Sequence, residues 1–281
     1  MVATNITWLG HSAFLIQGKN KILIDPFLTG NPKASVSAEE VDCDIICVTH
    51  GHSDHLGDAV NISKRTGAPI ASTIELSKCL ERQGVKGIGF NMGGTAEIEK
   101  TAITLVPAVH SSSVGMQGLE SSASIAAGMV INSGKVVYHA GDTCVFGDMA
   151  LIGAMYKPEV AMLPIGGFFT MDPMQAGRAV SLIRPKIAIP MHYGTWPQIE
   201  QDPEEFRKIV VKNLIRTSLE EIEWMGSIWT PIGVFGGLGR LSRKPPRKTR
   251  VIILEPGEML EVPDSGLQKH LHKPEDFLAE R

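Results

Sequence analysis

The chain has 281 residues, 43% of them hydrophobic, and a formal charge of −3. This length supports one large domain with a substantial core, and the charge gives no global pull toward nucleic acid or an anionic membrane. No apolar run is long enough to span a bilayer. The opening MVATNITWLG lacks the basic-then-apolar order of a secretory leader. The four cysteines, Cys43, Cys47, Cys79 and Cys144, form no CxxC pair. They read as plain thiols in a reducing, cytoplasmic setting.

Ile6–Leu9 reads as a short strand closed by the turn Gly10-His11-Ser12. Ala13–Ile16 and Lys21–Ile24 form a hairpin about Gly18-Lys19-Asn20. Pro26 stops that ladder and pushes Asp25 toward an extended conformation. Residues 27–40 are a loop. The apolar run Asp44–Thr49 reads as a buried strand and leads into Val48–Asp58, VTHGHSDHLGD; Leu56–Thr66 then reads as a helix ending at Gly67.

Pro69–Ser72 is a strand, and Thr73–Gln83 a helix with Ser72 as N-cap and Gly84 as its stop. Lys86–Asn91, Ala96–Glu99 and Ala102–Val109 read as strands, the last delivering His110. Residues 111–120 are small and polar, a mobile loop. Ser124–Ile131 and Lys135–His139 make a second hairpin ending in Ala140-Gly141-Asp142-Thr143. Asp148–Tyr156 is a helix, Val160–Pro164 a strand, and Asp172-Pro173 starts a helix running to Ile183. Lys186–Pro190 delivers Met191-His192-Tyr193, and Asp202-Pro203 starts another helix. Val251–Leu254 and Glu258–Val262 are short strands before a loose polar tail from Pro263. Two runs of strands, each followed by helices, predict an α/β chain of two packed sheets with helices outside.

The stretch Val48–Asp58 puts His50, His52, Asp54 and His55 where a strand gives way to a helix. Four such side chains are costly to bury unless something pairs with them. Neutral imidazole and carboxylate are good ligands for divalent ions, whereas a solvated histidine-rich loop is the bland alternative. Residues i and i+2 of an extended loop share a side, so His50 and His52 can grip one ion. Asp54 and His55 face another way and can serve a second. His110, Asp142 and His192 also stand at strand ends, where a lone histidine is ordinarily a hydrogen-bonded structural residue.

The pattern His-x-His-x-Asp-His resembles the signature of the metallo-β-lactamase superfamily. The resemblance implies a four-layer αββα sandwich and two divalent metal ions. His50, His52 and His110 would hold one ion, Asp54, His55 and His192 the other, and Asp142 would bridge them. The donors are all nitrogen and oxygen, which suits Zn, Mn or Fe. A hydroxide shared by the ions would attack a carbonyl or phosphoryl centre, with Asp54 and His55 at the catalytic position and Asp54 orienting the nucleophile or taking up its proton. Asp25 matches the superfamily's early aspartate, which supports the ligand loop; it reads equally as a strand-terminal turn residue. Thr49 and Thr143 are similar supports. His11 and His139 either line the pocket or are satisfied structural histidines. Tyr193 follows a ligand and is expected to contact substrate.

The ensemble TWLGHSAFLI, ILIDPF, THGHSDHLGD, YHAGDT, LPIGGFFTMDPMQA and PMHYGT resembles a branch of metal-dependent hydrolases similar to the L-ascorbate-6-phosphate lactonases. It runs over residues 4–207 and resumes near Val251. A histidine at 52, in place of the acidic residue of the oxygen-reducing di-iron branch, argues for hydrolysis. The expected activity is hydrolysis of a small-molecule ester, lactone or phosphoester, with the lactone of a phosphorylated sugar acid as the sharper form. A phosphodiesterase or nuclease of the same fold, and a non-catalytic metal- or ligand-binding protein, are the alternatives. No nucleic-acid or membrane partner is expected.

One domain is expected over 1–281, departing from the branch at about 210–250. There an apolar, glycine-rich run precedes a basic, proline-containing one. An apolar stretch of this kind must be covered. It is read as a homo-oligomer contact or a cover over the site, against packing on its own subunit.

Overall fold

The structure is a computed structural model describing residues 3–113, 124–213 and 249–262, with the backbone of 271–272. The chain opens with an antiparallel meander, β1 (Thr4–Gly10), β2 (Ala13–Gln17) and β3 (Lys21–Ile24). Next come β4 (Ile45–Cys47), α1 (Ser53–Leu56), α2 (Ala59–Thr66), β5 (Ile70–Thr73), α3 (Ile74–Glu81) and β6 (Gly87–Phe90). These strands extend the sheet in parallel from β3, crossing over through the helices. A second antiparallel meander follows, β7 (Thr95–Ile98), β8 (Thr101–Pro107), β9 (Ala127–Asn132) and β10 (Val136–His139). Then α4 (Met149–Tyr156), β11 (Val160–Pro164), α5 (Pro173–Ile183) and β12 (Ile187–Met191) extend it in parallel. A helix over 203–213, α6, precedes β13 (Arg250–Val251), β14 (Met259–Val262) and β15 (Leu271–His272). One sheet has the order β15-β14-β1-β2-β3-β4-β5-β6, the other β13-β12-β11-β10-β9-β8-β7.

Side-chain alternation assigns each face. Ile45 and Cys47 of β4, Val160 and Met162 of β11, and Ile187, Ile189 and Met191 of β12 fill one core between the sheets. Ile46 packs instead with Leu56, Ala59, Ile62, Leu76 and Leu80 under α1–α3. On the far side Ala161, Leu163 and Ala188 pack with Met149, Ile152, Ala176, Val180, Phe206 and Val210 of α4–α6. The layers therefore run helix, sheet, sheet, helix, the αββα sandwich. Strands covered on both faces carry apolar residues at almost every position, so runs such as DIICV lack a two-residue period.

Four local expectations are corrected. The helix after the ligand loop is not continuous from Leu56. It starts at Ser53, breaks at Gly57 and restarts at Ala59. Gly57 has φ 41, and a Cβ there would stand 2.4 Å from the Pro26 carbonyl oxygen, so the chain turns where it presses on the loop after β3. Asp58 completes that junction by accepting from the backbone N–H of Leu28 (3.0 Å) and Thr29 (2.8 Å). Ser72 does not cap α3: Thr73 holds the cap position, and the Ser72 hydroxyl donates to the Val48 carbonyl at 2.7 Å. Asp25 is not extended but left-handed, at φ 44. Strand pairing near the C-terminus stops at Val251, because the chain then crosses to the other sheet, where the Gly257 N–H donates to the Trp8 carbonyl (2.7 Å).

Most of the 210–250 stretch with its oligomer or cover role, most of the 111–120 loop, and the tail from Pro263 apart from the β15 backbone lie outside the described residues. No helix among the described residues is long and apolar enough to cross a membrane. Gly57→Ala should destabilise the protein by about 1–3 kcal/mol, read as a lower urea midpoint, since it combines a left-handed backbone with a clash against main chain. An unchanged midpoint would show that the loop yields freely.

Candidate metal centre

Strand direction collects the site residues. In the first sheet β2 is antiparallel to both β1 and β3, and β4 is parallel to β3, so β1, β3 and β4 end at one edge. They deliver His11, Asp25 and the Thr49–His55 loop. In the second sheet β8, β10, β11 and β12 share a direction by the same rule and deliver His110, Asp142 and His192. The two edges are tied directly: the His192 N–H donates to the His11 carbonyl (3.0 Å) and the Ala127 N–H to the Thr49 carbonyl (3.1 Å).

The seven ligand-type residues converge. Donor atoms of His50, His52 and His110 lie within 4.8 Å of one another, and so do those of His50, His55 and Asp142. Asp54, His55 and His192 form a third such group, joined by His11. Asp142 stands between the groups. Its Oδ1 is 3.2 Å from His55 Nε2, and its Oδ2 is 3.0 Å from His192 Nε2 and 3.5 Å from His110 Nε2.

The outer ring nitrogens of His55 and His50 are anchored so that the inner ones face this cluster. Asp25, fully buried, accepts from the Thr49 N–H (2.8 Å), the Thr49 hydroxyl (2.7 Å) and His55 Nδ1–H (2.7 Å). With Nδ1 donating, His55 keeps its Nε2 lone pair for the interior, the arrangement that supports a metal-binding imidazole. The Thr49 oxygen in turn lies 3.1 Å from His50 Nδ1, leaving His50 Nε2 inward, 2.9 Å from His52 Nδ1. Thr143 Oγ1 accepts from the Val109 N–H (3.0 Å), fixing the strand end that carries His110. His11, Asp25 and His192 all hold positive φ, at 55, 44 and 56. Left-handed backbone in non-glycine residues is strained, and here it aims side chains into the site.

These residues fit a bound cation. His55 Nε2, His192 Nε2 and Asp142 Oδ1 are buried with no hydrogen-bond partner among the described residues. Each such atom costs about 1–3 kcal/mol if left unpaired. Oxygen and imidazole nitrogen donors that close together are satisfied jointly by divalent ions. His11 belongs to the frame. Its Nε2–H points to the Asp54 carboxylate at 3.2 Å, and its Nδ1 takes the Thr195 hydroxyl at 2.8 Å, so neither nitrogen is left for an ion.

Two predicted pocket residues lie elsewhere. His139 gives its Nε2–H to the Ser12 carbonyl (3.0 Å) and receives the Gly141 N–H on Nδ1 (3.2 Å), so it is a satisfied structural histidine joining the two sheets. Tyr193 stacks on Trp8, ring centroids 5.4 Å apart, and packs in the core. Neither lines the cavity over the centre, which has a volume of about 620 Å³. Sequence reasoning missed Thr195 and Asp58, and also the cavity wall of Phe27, Phe169, Trp196, Ser53, Ser111 and Gln198. Asp58 was visible inside the ligand motif; the wall residues carry no spacing signal.

The electrostatics divide the imidazoles. Burial, then the neighbouring His55, holds His50 well below the usual histidine range; burial also lowers His52 and His110. His11 is lowered to about 4 by burial and then by His192. Burial opposes protonation of His192 too, but the Asp142 carboxylate outweighs it and raises His192 to about 9. His55, against burial, is raised by Asp142 and Asp25. Burial pushes the Asp54 carboxyl up, yet the His11 hydrogen bond and the neighbouring His192 ring hold it well below the usual carboxylate range.

A two-sheet αββα stack with a buried His/Asp cluster on its shared edge is the arrangement of the β-lactamase superfamily of metalloproteins. The Beta-lactamase superfamily domain matches residues 5–192. A UPF0173 metal-dependent hydrolase of Archaeoglobus fulgidus is 56% identical over 207 residues, covering 73% of this chain and 90% of that protein. Igni18, a metallo hydrolase of Ignicoccus hospitalis, superposes with a TM-score of 0.74 at 36% identity, covering 94% of this chain and 100% of that one. The metallo-β-lactamase fold protein YhfI of Bacillus subtilis, at 15% identity and a TM-score of 0.62 over 93% of this chain and 100% of that one, shares the fold. Within the superfamily, this chain belongs to the UPF0173 metal-dependent hydrolases.

Two outcomes are expected. Asp25→Ala should weaken cation binding about 10–100-fold in chelator competition while circular dichroism stays native, because His55 loses its anchor; unchanged affinity would remove Asp25 from the site. Cation uptake at pH 7.5 should release about one proton, seen as buffer-dependent heat in calorimetry. Asp142 raises His192 to about 9, so its ring must lose a proton to donate, and affinity should rise with pH toward that value.

Proposed function

We propose that this chain hydrolyses a small carboxylic ester or lactone at a centre of two divalent cations. The observation that carries the reading is Asp142, a buried carboxylate between a three-histidine group and an Asp54–His55–His192 group, with both oxygens directed at ring nitrogens. Bridging of that kind suits paired ions sharing one acid. When bound, such ions acidify water and polarise the attacked carbonyl. His50, His52 and His110 would hold one ion, and Asp54, His55 and His192 the other. Zn, Mn and Fe all suit these nitrogen and oxygen donors.

The protein's own part is placement. Asp25 and Thr49 hold His55 and His50 in single ring orientations, and rigid donors need no reorganisation as charge develops. His11 keeps Asp54 ionised and fixed. The Asp54 side chain remains partly open to the cavity, where it can hold a proton of the attacking water. The lactonase-like form of the activity is supported by the resemblance of the six motifs read above.

Elemental analysis of protein purified without added metal should give two transition ions per chain, and Asp142→Ala should lower both that content and turnover of chromogenic esters and lactones by about 100-fold or more. Full activity in the Asp142 variant, or a single tightly held ion with full activity, would defeat the two-ion reading.

A further inference from the structure

The cavity over the His/Asp groups has a lining that the metal chemistry does not require. It carries three aromatic rings, Phe27, Trp196 and Phe169. Phe27 and Trp196 meet edge to face with centroids 6.4 Å apart, and both lie against the His11 ring, at 5.8 and 4.9 Å. His11 is itself buried and held by Thr195 and Asp54, so these two rings stand on a fixed frame. Phe169 is 49% exposed and packs against Phe168, which is 72% exposed. Large aromatics left in water beside a reactive centre mark a surface that something apolar covers.

Charge points the same way. Among the described residues, no lysine or arginine lines the cavity; the remaining wall residues, Ser53, Ser111 and Gln198, are neutral. Sites for phosphate use arginine, lysine or clustered backbone N–H groups. Beyond the ions, the wall itself offers a phosphate dianion no cationic side chain among the described residues to replace the water it would lose against three rings. The volume, about 620 Å³, suits a small organic body.

We infer that the substrate of this site has an uncharged, apolar acyl or aryl body, received by Phe27, Trp196 and Phe169, and is not a phosphorylated sugar acid. The inference rests on the ester or lactone reading for its reacting group, and on the wall alone for the body. It narrows the lactonase expectation to lactones without a charged substituent.

The test uses the full chain in two arms. In the first, the cation-loaded protein meets p-nitrophenyl acetate, butyrate and hexanoate, γ-lactones of increasing alkyl length, and a phosphorylated sugar lactone. Expected is a rise in kcat/KM of roughly threefold per methylene, with the phosphorylated lactone slowest. Phe169→Ala, a change at a half-exposed side chain outside the core, should lower the hexanoate value about tenfold more than the acetate value. In the second arm, the chelator-treated protein is titrated with the neutral fluorophore N-phenyl-1-naphthylamine and with 1-naphthyl phosphate. The neutral probe should bind, and more weakly in Phe169→Ala and Trp196→Ala; the phosphate should not. A flat chain-length series, preference for the phosphorylated lactone, or probe binding indifferent to both variants overturns the inference. Probe binding lost in the variants, with no ester or lactone turned over, upholds the apolar wall and defeats the hydrolytic reading instead.

Discussion

The arrangement hangs on one buried carboxylate. Asp25 lies at the end of β3 with no solvent exposure, and it is surrounded by three donors at 2.7–2.8 Å. Burying an acid without such partners costs several kcal/mol, so the contacts are mutually obligatory. Two come from Thr49 and one from His55, which brackets the ligand loop at both ends. The left-handed backbone of Asp25 follows from the same demand. A residue before proline would ordinarily be extended, and the hydrogen bonds override that preference.

From that anchor the order spreads outward. Asp25 orients His55, Thr49 relays to His50, and Asp142 faces His55, His110 and His192 from the other sheet. His11 does for Asp54 what Asp25 does for His55, using Thr195 as its own support. His55, His50 and Asp54 therefore each have an outer partner that fixes the ring or the carboxylate. Charges of opposite sign meet across the seam between the sheets, so the centre also joins the two halves of the sandwich. Parallel strand directions make this possible, since the ends of β1, β3, β4, β8, β10 and β12 share one edge.

The same edge carries the apolar wall. Phe27 follows Asp25 by two residues, and Trp196 follows His192 by four, so the turns that place donors also place rings. The His11 imidazole serves both, bonding Asp54 at one nitrogen and presenting its faces to Phe27 and Trp196. Reaction and recognition are thereby built on one frame, in which side-chain hydrogen bonds and ring contacts hold residues carried on turns.

Much of the site could be read from the chain itself. His50, His52, Asp54 and His55 sit within six positions, so the sequence alone marks them as one group of ligand-type side chains. His110, Asp142 and His192 were legible only together, as ligand-type residues after apolar strands that complete the set the resemblance implies. What the sequence could not hold is which distant residues meet. His11, His139 and Tyr193 look alike in the chain, each polar and beside a strand. Only the packing made the first a support for Asp54, the second a link between sheets, and the third a partner of Trp8. The break at Gly57 and the aromatic wall belong to the same class. Local chemistry determines what a residue can do; contacts between residues distant in the chain decide what it does, because pairing and burial are properties of the folded neighbourhood.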